Sequence, residues 1–251
     1  MEPILDAWNA PPGYPVLTRA DVHVWKSALN PPMPLVRDLE RLLAPEERDR
    51  ADRFGRAEDR RRFTVGRGVL RTILGRYLGR EPDQLHFRYN PSGKPGLSAE
   101  TGSHSIRFNV SHTRDIALHA VTIGREIGVD IERIRADIGT EEIAARIFSA
   151  REVAALCALP HSSRLEAFFT CWTRKEAYLK ARGEGLSLPL DRFTVSLAPG
   201  HPAALLEVLD DPEETTRWSL RQLFPGADHV AALAVEGCDW RLKCWQWGGY
   251  V

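Results

Sequence analysis

Residues 106–132 read IRFNVSHTRDIALHAVTIGREIGVDIE. Ile106–Val110, Ile116–Thr122 and Ile127–Ile131 are short, rich in β-branched residues and bounded by turn residues, which predicts three successive strands with Gly124 at the turn between the last two. Side chains alternate along a strand, so Ile127, Val129 and Ile131 share one face while Asp130 and Glu132 project side by side from the other. Upstream, Leu39–Leu43 and the Arg-rich stretch as far as Gly79 read as helices, since Phe63, Gly66, Leu70, Ile73 and Leu74 recur at helical spacing. Downstream, Thr140–Leu159 and Ser163–Ala181 read as helix, with Gly183 as a stop signal. Four further strands follow at Phe193–Leu197, Trp218–Leu223, His229–Val235 and Leu242–Trp247. Helices then strands, twice over, favour an α+β fold over a doubly wound parallel sheet.

The chain has 251 residues, 43% hydrophobic and 27% charged, which fits a folded domain and argues against disorder or a fibrous repeat. Lys plus Arg and Asp plus Glu number 34 each, so no net charge draws the molecule to nucleic acid or membrane. The charge is nevertheless segregated. Arg48–Arg80 holds 11 arginines and 4 acidic residues, a local excess of +7 that suits either a solvated helix face or an anion-facing surface. Cys157, Cys171, Cys238 and Cys244 form no C-x-x-C pair, so reduced and mostly buried thiols are expected. Residues 1–14 carry acidic side chains, Trp8 and three prolines where a signal peptide would have a basic patch and an apolar run. No apolar stretch is long enough to span a membrane. A cytoplasmic protein is expected. Neither G-x-G-x-x-G nor a Walker A sequence occurs, which removes the usual dinucleotide and P-loop readings.

Three segments carry chemistry. Asp130 and Glu132 suit a hard divalent cation, Mg²⁺ or Mn²⁺, although adjacent acids also occur on ordinary exposed strands. Glu176 and Lys180, within Trp172–Lys180 (WTRKEAYLK), are an i, i+4 pair. Such a pair commonly supports a solvated helix, but Glu176 could supply a third carboxylate and Lys180 could neutralise phosphate oxygens on the same ion. Ser111 and His112 close a strand and can donate hydrogen bonds to a phosphate, or serve as structural hydrogen-bonders. His104 and His119 lack metal-ligand spacing and read as structural. No G-x-S-x-G elbow surrounds Ser111, which argues against a hydrolytic nucleophile. The turn Asn90-Pro91-Ser92-Gly93 presents Lys94 at a loop edge.

Asn109-Val110-Ser111-His112, Gly128-Val129-Asp130-Ile131-Glu132 and Trp172–Lys180, in this order and with Gly93-Lys94-Pro95 and Arg146-Ile147-Phe148-Ser149, resemble the 4'-phosphopantetheinyl transferases. The length is similar to that of the larger, two-lobed class that activates peptide and polyketide synthetases. The resemblance implies two similar α+β lobes, residues 1–124 and 125–251, with coenzyme A in the cleft between them. It implies a monomer that moves 4'-phosphopantetheine from coenzyme A to a serine of an apo acyl or peptidyl carrier protein, releasing adenosine 3',5'-bisphosphate. By the same match Asp130, Glu132 and Glu176 would hold Mg²⁺, Glu176 would accept the serine proton, and Lys180 would contact the pyrophosphate. Ser111, His112, Lys94 and Arg50 would grip the 3'-phosphate and adenosine end, with Arg62 and Arg88 as neighbours. Glu47 departs from the pattern, standing where some relatives carry a basic residue.

Two other classes compete. A Mg²⁺-dependent phosphodiesterase or nuclease could use the same acids with water as nucleophile, against which the balanced net charge argues. A non-catalytic module binding coenzyme A or a carrier protein would not need the three acids. The apolar helix face of Ala144, Ile147, Phe148, Val153 and Leu156 could dock an acidic carrier helix or pack inward, and packing is the favoured expectation.

Overall fold

The computed structural model describes residues 8–13, 15–101, 105–137, 139–185 and 188–249. In chain order the elements are β1 (Asp21–Ala28), α1 (Met33–Arg41), α2 (Pro45–Asp52), α3 (Ala57–Leu78), β2 (Phe87–Tyr89), β3 (Pro95–Leu97), β4 (Ile106–His112), β5 (Ile116–Ile123), β6 (Ile127–Arg133), α4 (Thr140–Ile147), α5 (Ala150–Ala158), α6 (His161–Arg182), β7 (Phe193–Val195), β8 (Leu205–Val208), α7 (Glu214–Arg217), β9 (Trp218–Leu223), β10 (His229–Glu236) and β11 (Arg241–Gln246). The class is α+β, as expected. One sheet has the order β11-β1-β5-β4 and a second the order β6-β10-β9.

Period-two alternation sorts the strand side chains into layers. Val22, Val24, Leu118 and Ala120 from the first sheet meet Ile127, Val129, Ile131, Leu233 and Val235 from the second in a core between the sheets. The opposite face of the first sheet, including Trp25, Ala117 and Val121, packs on Val65, Val69 and Ile73 of α3. The opposite face of the second, including Ala232 and Ala234, packs on Ala177, Tyr178 and Ala181 of α6. The order through the molecule is therefore helix, sheet, sheet, helix. Both long helices stop at a left-handed glycine, Gly79 at φ 61° and Gly183 at φ 72°, where an L side chain would be strained.

The structure adds elements that periodicity does not announce. β1 is buried on both faces, so the expected alternation is absent. Its polar residues find internal partners instead: His23 Nδ1 lies 2.7 Å from Tyr77 Oη, and Ser27 Oγ lies 3.1 Å from His119 Nε2. β11 then pairs with β1 in parallel, Asp21 opposite Arg241 through Lys26 opposite Gln246, so the last strand completes the first sheet. The expected helix at 140–159 is two helices. Ser149 caps the second by accepting from the Glu152 amide at 3.3 Å, while Glu152 Oε2 accepts from the Ser149 amide at 2.9 Å. Ala144, Phe148 and Leu156 are buried and Ile147 and Val153 pack against the same cluster, which settles that face as core.

Cys171 and Cys244 are buried, but Cys157 and Cys238 are exposed, a correction to the mostly buried expectation; none of the four is in a disulfide. His119 is structural, as expected, and His104 lies outside the described residues. Among the described residues, no helix is long and apolar enough to cross a membrane.

Candidate functional site

The site forms where the two sheets meet edge to edge. β4 and β6 are edge strands of different sheets and share no backbone ladder, so side chains of β4 satisfy the β6 backbone instead. Asn109 Oδ1 accepts from the Val129 amide at 2.9 Å, and Ser111 Oγ accepts from the Ile131 amide at 3.4 Å. This seam fixes β6 and with it Asp130. Gly128 brings in the third element: a Cβ there would fall inside the van der Waals radii of the Ala177 carbonyl oxygen and the Ala181 amide nitrogen, so only glycine lets α6 lie directly on β6. The close approach delivers Glu176 and Lys180 beside Asp130.

Lys180 Nζ donates to Asp130 Oδ1 at 2.6 Å and to Ser111 Oγ at 2.9 Å, and Ser111 in turn donates to Asp130 Oδ1 at 2.8 Å. Asp130 is 4% exposed, and its second oxygen, Oδ2, is buried with no hydrogen-bond partner among the described residues. A buried carboxylate oxygen with a free lone-pair set has a strong call for a cation or donor. Burial and then the neighbouring Asp130 charge raise both Glu132 and Glu176 above their ordinary value, and Glu176 adds to the shift of Glu132. Among the described residues no three His, Cys, Asp or Glu side chains are drawn into a ready-made metal cage. What fits a divalent cation is the charge pattern: three all-oxygen donors under mutual repulsion, and one orphaned oxygen among them.

A cleft of about 250 Å³ opens beside this cluster, between the turn at Ser92–Lys94, Asn109 and Val110 of β4, and Glu176, Leu179 and Lys180 of α6 with Gly183 just past its end. Lys94, Glu176 and Lys180 thus line the same cleft. His112 stands within electrostatic reach of Lys180 and Arg62; burial first, and then those two cations, hold its imidazole below the usual value.

Other expected residues stand apart from that cleft. Arg62 is paired with Asp59 at 3.0 Å and Glu58 at 3.4 Å. Arg50 is exposed on α2, its guanidinium 5.2 Å from the Phe63 ring centroid. Arg88 lines a second cavity, which it shares with Lys94.

Much of the arginine excess proves to be structural. Arg71 is 1% exposed and donates to Glu47 Oε2 at 2.7 Å and to the carbonyls of Pro82 and Leu85. Arg67 pairs with the same carboxylate at 3.4 Å. Glu47 also accepts from the Ala44 amide at the start of α2. The acid that broke the expected basic pattern is therefore a buried tie between α2 and α3. Removing one partner of such a pair costs on the order of 3–5 kcal/mol, because a charge is left buried alone. Within WTRKEAYLK, Lys175 is likewise structural: fully buried, it pairs with Glu152 at 2.8 Å and donates to the Leu190 carbonyl. Asn109 and Glu126 are contributors that the sequence reading passes over. Asn109 was discoverable, since it lies two positions before Ser111 and so on the same strand face.

Comparisons with known proteins bear on what this geometry does. Residues 30–123 match the family model described as 4'-phosphopantetheinyl transferase, N-terminal, and residues 126–234 match that of the 4'-phosphopantetheinyl transferase superfamily. The chain is 41% identical over 240 residues to 4'-phosphopantetheinyl transferase HetI of Nostoc sp., covering 96% of this chain and 98% of that protein. It belongs to the 4'-phosphopantetheinyl transferase superfamily. Within that superfamily it is similar to the larger, Sfp-like class: it is 33% identical over 155 residues to 4'-phosphopantetheinyl transferase Sfp of Bacillus subtilis, across 62% of this chain and 66% of Sfp. It is also 28% identical over 217 residues to the L-aminoadipate-semialdehyde dehydrogenase-phosphopantetheinyl transferase of Xenopus laevis, across 79% and 70% of the two chains. This transferase is thus an enzyme, and the cleft beside Glu176 and Lys180 is its candidate active site.

Proposed function

We propose that the cleft binds coenzyme A and that the enzyme transfers the 4'-phosphopantetheine arm to a serine hydroxyl of an apo acyl or peptidyl carrier protein. The reading rests on one observation above others: Lys94, Glu176 and Lys180 line one cleft, and Lys180 is tied to Asp130 beside it. Two cations and one carboxylate of raised proton affinity are what attack on an anionic diphosphate requires.

The serine oxygen would form a bond to the β-phosphorus of coenzyme A while the bond from that phosphorus to the bridging oxygen breaks. Adenosine 3',5'-bisphosphate leaves with the bridging electrons. Glu176 would accept the serine proton, directly or through water; its elevated proton affinity brings it nearer to what a general base needs at neutral pH. Lys180 spends two of its three donors on Asp130 and Ser111, which aims the ammonium and leaves one N–H for a phosphate oxygen. Asp130, Glu132 and Glu176 would hold Mg²⁺, which when bound offsets charge on the pyrophosphate.

At the adenosine end, His112 would present a neutral N–H to the 3'-phosphate, with Arg62, Arg50 and Arg88 lending longer-range positive charge. The hydroxyl of Ser111 faces Asp130 and Lys180, so its support for substrate runs through them. The halves 1–124 and 125–251 are read as the two lobes, the second lending β11 to the sheet of the first, and a monomer suffices because both supply walls of the cleft.

Purified enzyme, coenzyme A, Mg²⁺ and an apo carrier protein are expected to give a carrier heavier by one phosphopantetheine group in a mass spectrum. No mass gain with several unrelated carriers would overturn the reading. Glu176→Gln keeps the size of the side chain and loses the base. It is expected to lower turnover by roughly 10²–10⁴-fold, with the enzyme still folded by circular dichroism; undiminished turnover would strike Glu176 from the reaction.

A further inference from the structure

Lys94 is held in place by groups that its turn motif does not announce. Its ammonium donates to Glu126 Oε2 at 3.0 Å and to the Ala181 carbonyl at 2.9 Å. Ala181 lies in the last turn of α6, where carbonyls are left open at a helix end. The alkyl stem runs past Gly183, where an added Cβ would stand 3.1 Å from Lys94 Cδ. Asn90 secures the turn from the other side, donating to the Gly183 carbonyl at 2.6 Å. Lys94 separates two cavities of about 250 Å³ each. One is the cleft with Glu176 and Lys180, and the other is bordered by Arg88, Arg107 and Glu126.

Glu126 is itself anchored. Its Oε1 accepts from Arg107 Nε at 2.9 Å, and its amide donates to Glu236 Oε2 at 3.2 Å. Glu236 is held in turn by Arg217 at 3.1 Å. The backbone at residue 126 is held by Glu236 through both its amide and its carbonyl, which accepts from the Glu236 amide at 3.0 Å, so the carboxylate is left to the two cations it joins, Lys94 and Arg107. An ammonium has three donors, and with two committed to Glu126 and Ala181 the third can meet an anion in the cleft.

We infer that Glu126 is a positioning residue for the transfer reaction: it fixes the Lys94 ammonium in the wall of the cleft and so sets how tightly coenzyme A is held, without touching the substrate. This rests on the cleft being the coenzyme A site. Glu126 also favours the charged form of Lys94. Burial pulls Lys94 below the ordinary lysine value, Glu126 opposes that, and Arg107 adds to it. The other charged groups facing Lys94 are Arg88 from β2 and, across the cleft, Glu176 and Lys180 from α6. Without Glu126 every nearby cation favours loss of the Lys94 proton.

Steady-state kinetics with coenzyme A as varied substrate tests this. Glu126→Gln is expected to raise KM for coenzyme A roughly tenfold, the scale of one charge-assisted hydrogen bond, with kcat little changed. It should also move the alkaline limb of the kcat/KM profile to lower pH, which a purely structural role would not do. Lys94→Ala should raise KM at least as far, and the double variant no further than Lys94→Ala alone, since Glu126 acts through Lys94. Glu126→Asp should recover part of the loss. Unchanged KM and an unshifted alkaline limb in Glu126→Gln, beside a raised KM in Lys94→Ala, would overturn the role of Glu126 and leave the cleft reading standing. Unchanged KM in Lys94→Ala would overturn both, as would additive effects in the double variant overturn the link between the two residues.

Discussion

Asp130→Ala is expected to reduce transfer to a carrier protein by a factor on the order of 10³ or more, because it removes the charge around which the site is organised. Asp130 binds Lys180 and Ser111 through one oxygen, and its other oxygen has no partner among the described residues. It also contributes to the raised proton affinity of Glu132 and Glu176. Its loss therefore misplaces the lysine, lowers the proton affinity of the base and deletes a cation ligand together. The fold should survive. Asp130 contributes no apolar contact to the core between the sheets, and Lys180, at 30% side-chain exposure, can turn its freed ammonium to water. A thermal melt close to that of the parent beside abolished mass gain is the expected pair of results. Asp130→Asn, which keeps an oxygen for Ser111 and Lys180, should lose activity nearly as fully. Full turnover in either variant would remove Asp130 from the chemistry.

Gly128→Ala should do more to the fold than any single loss of a charged side chain at the site. The added methyl meets two backbone atoms of α6, the Ala177 carbonyl oxygen and the Ala181 amide nitrogen, and backbone cannot rotate away as a side chain can. Either α6 lifts off β6 or the strand bends. Both open the core that Ala177, Tyr178 and Ala181 make with the second sheet. A destabilisation of about 4 kcal/mol or more is expected, at the extreme of what point substitutions cause. Chemical denaturation of the purified variant reads this directly, and loss of soluble expression agrees with it. Parent-like stability would show that α6 does not rest on β6 as described.

The central strands were legible as short β-branched runs bounded by turn residues, although β5 and β6 prove buried on both faces, and the two long helices because their apolar residues recur at helical spacing. The pairing of Asp130 with Glu132 on one strand face was legible from the alternation of side chains along a strand. β1 was hidden, since His23, Lys26 and Ser27 read as polar interruptions until their partners at Tyr77, Pro225 and His119 are known. The break at Phe148–Ser149 was written in the Ser149-to-Glu152 capping spacing, yet the apolar periodicity on either side masks it. Long-range charge pairing was not legible. Glu47 looked like a missing cation and is a buried counter-charge, while Arg71 looked like surface charge and is interior. Asp130 itself could have been an exposed acid. Only the meeting of β4, β6 and α6 decides that it is not.

The parallel pairing of β1 with β11 joins Asp21 to Arg241 across 220 positions of chain. During synthesis the first half leaves the ribosome long before the strand that must lie along β1. Until then the nascent sheet presents an unpaired edge of backbone donors and acceptors, open to strands of other chains. Domains usually settle in the order in which they are made, but here the earliest sheet finishes last, and long-range closure of this kind slows folding. Severing the molecule between its halves would leave the front fragment permanently in that adhesive state. Production of the first half by itself is therefore a matter of supplying the missing strand rather than choosing a better cut.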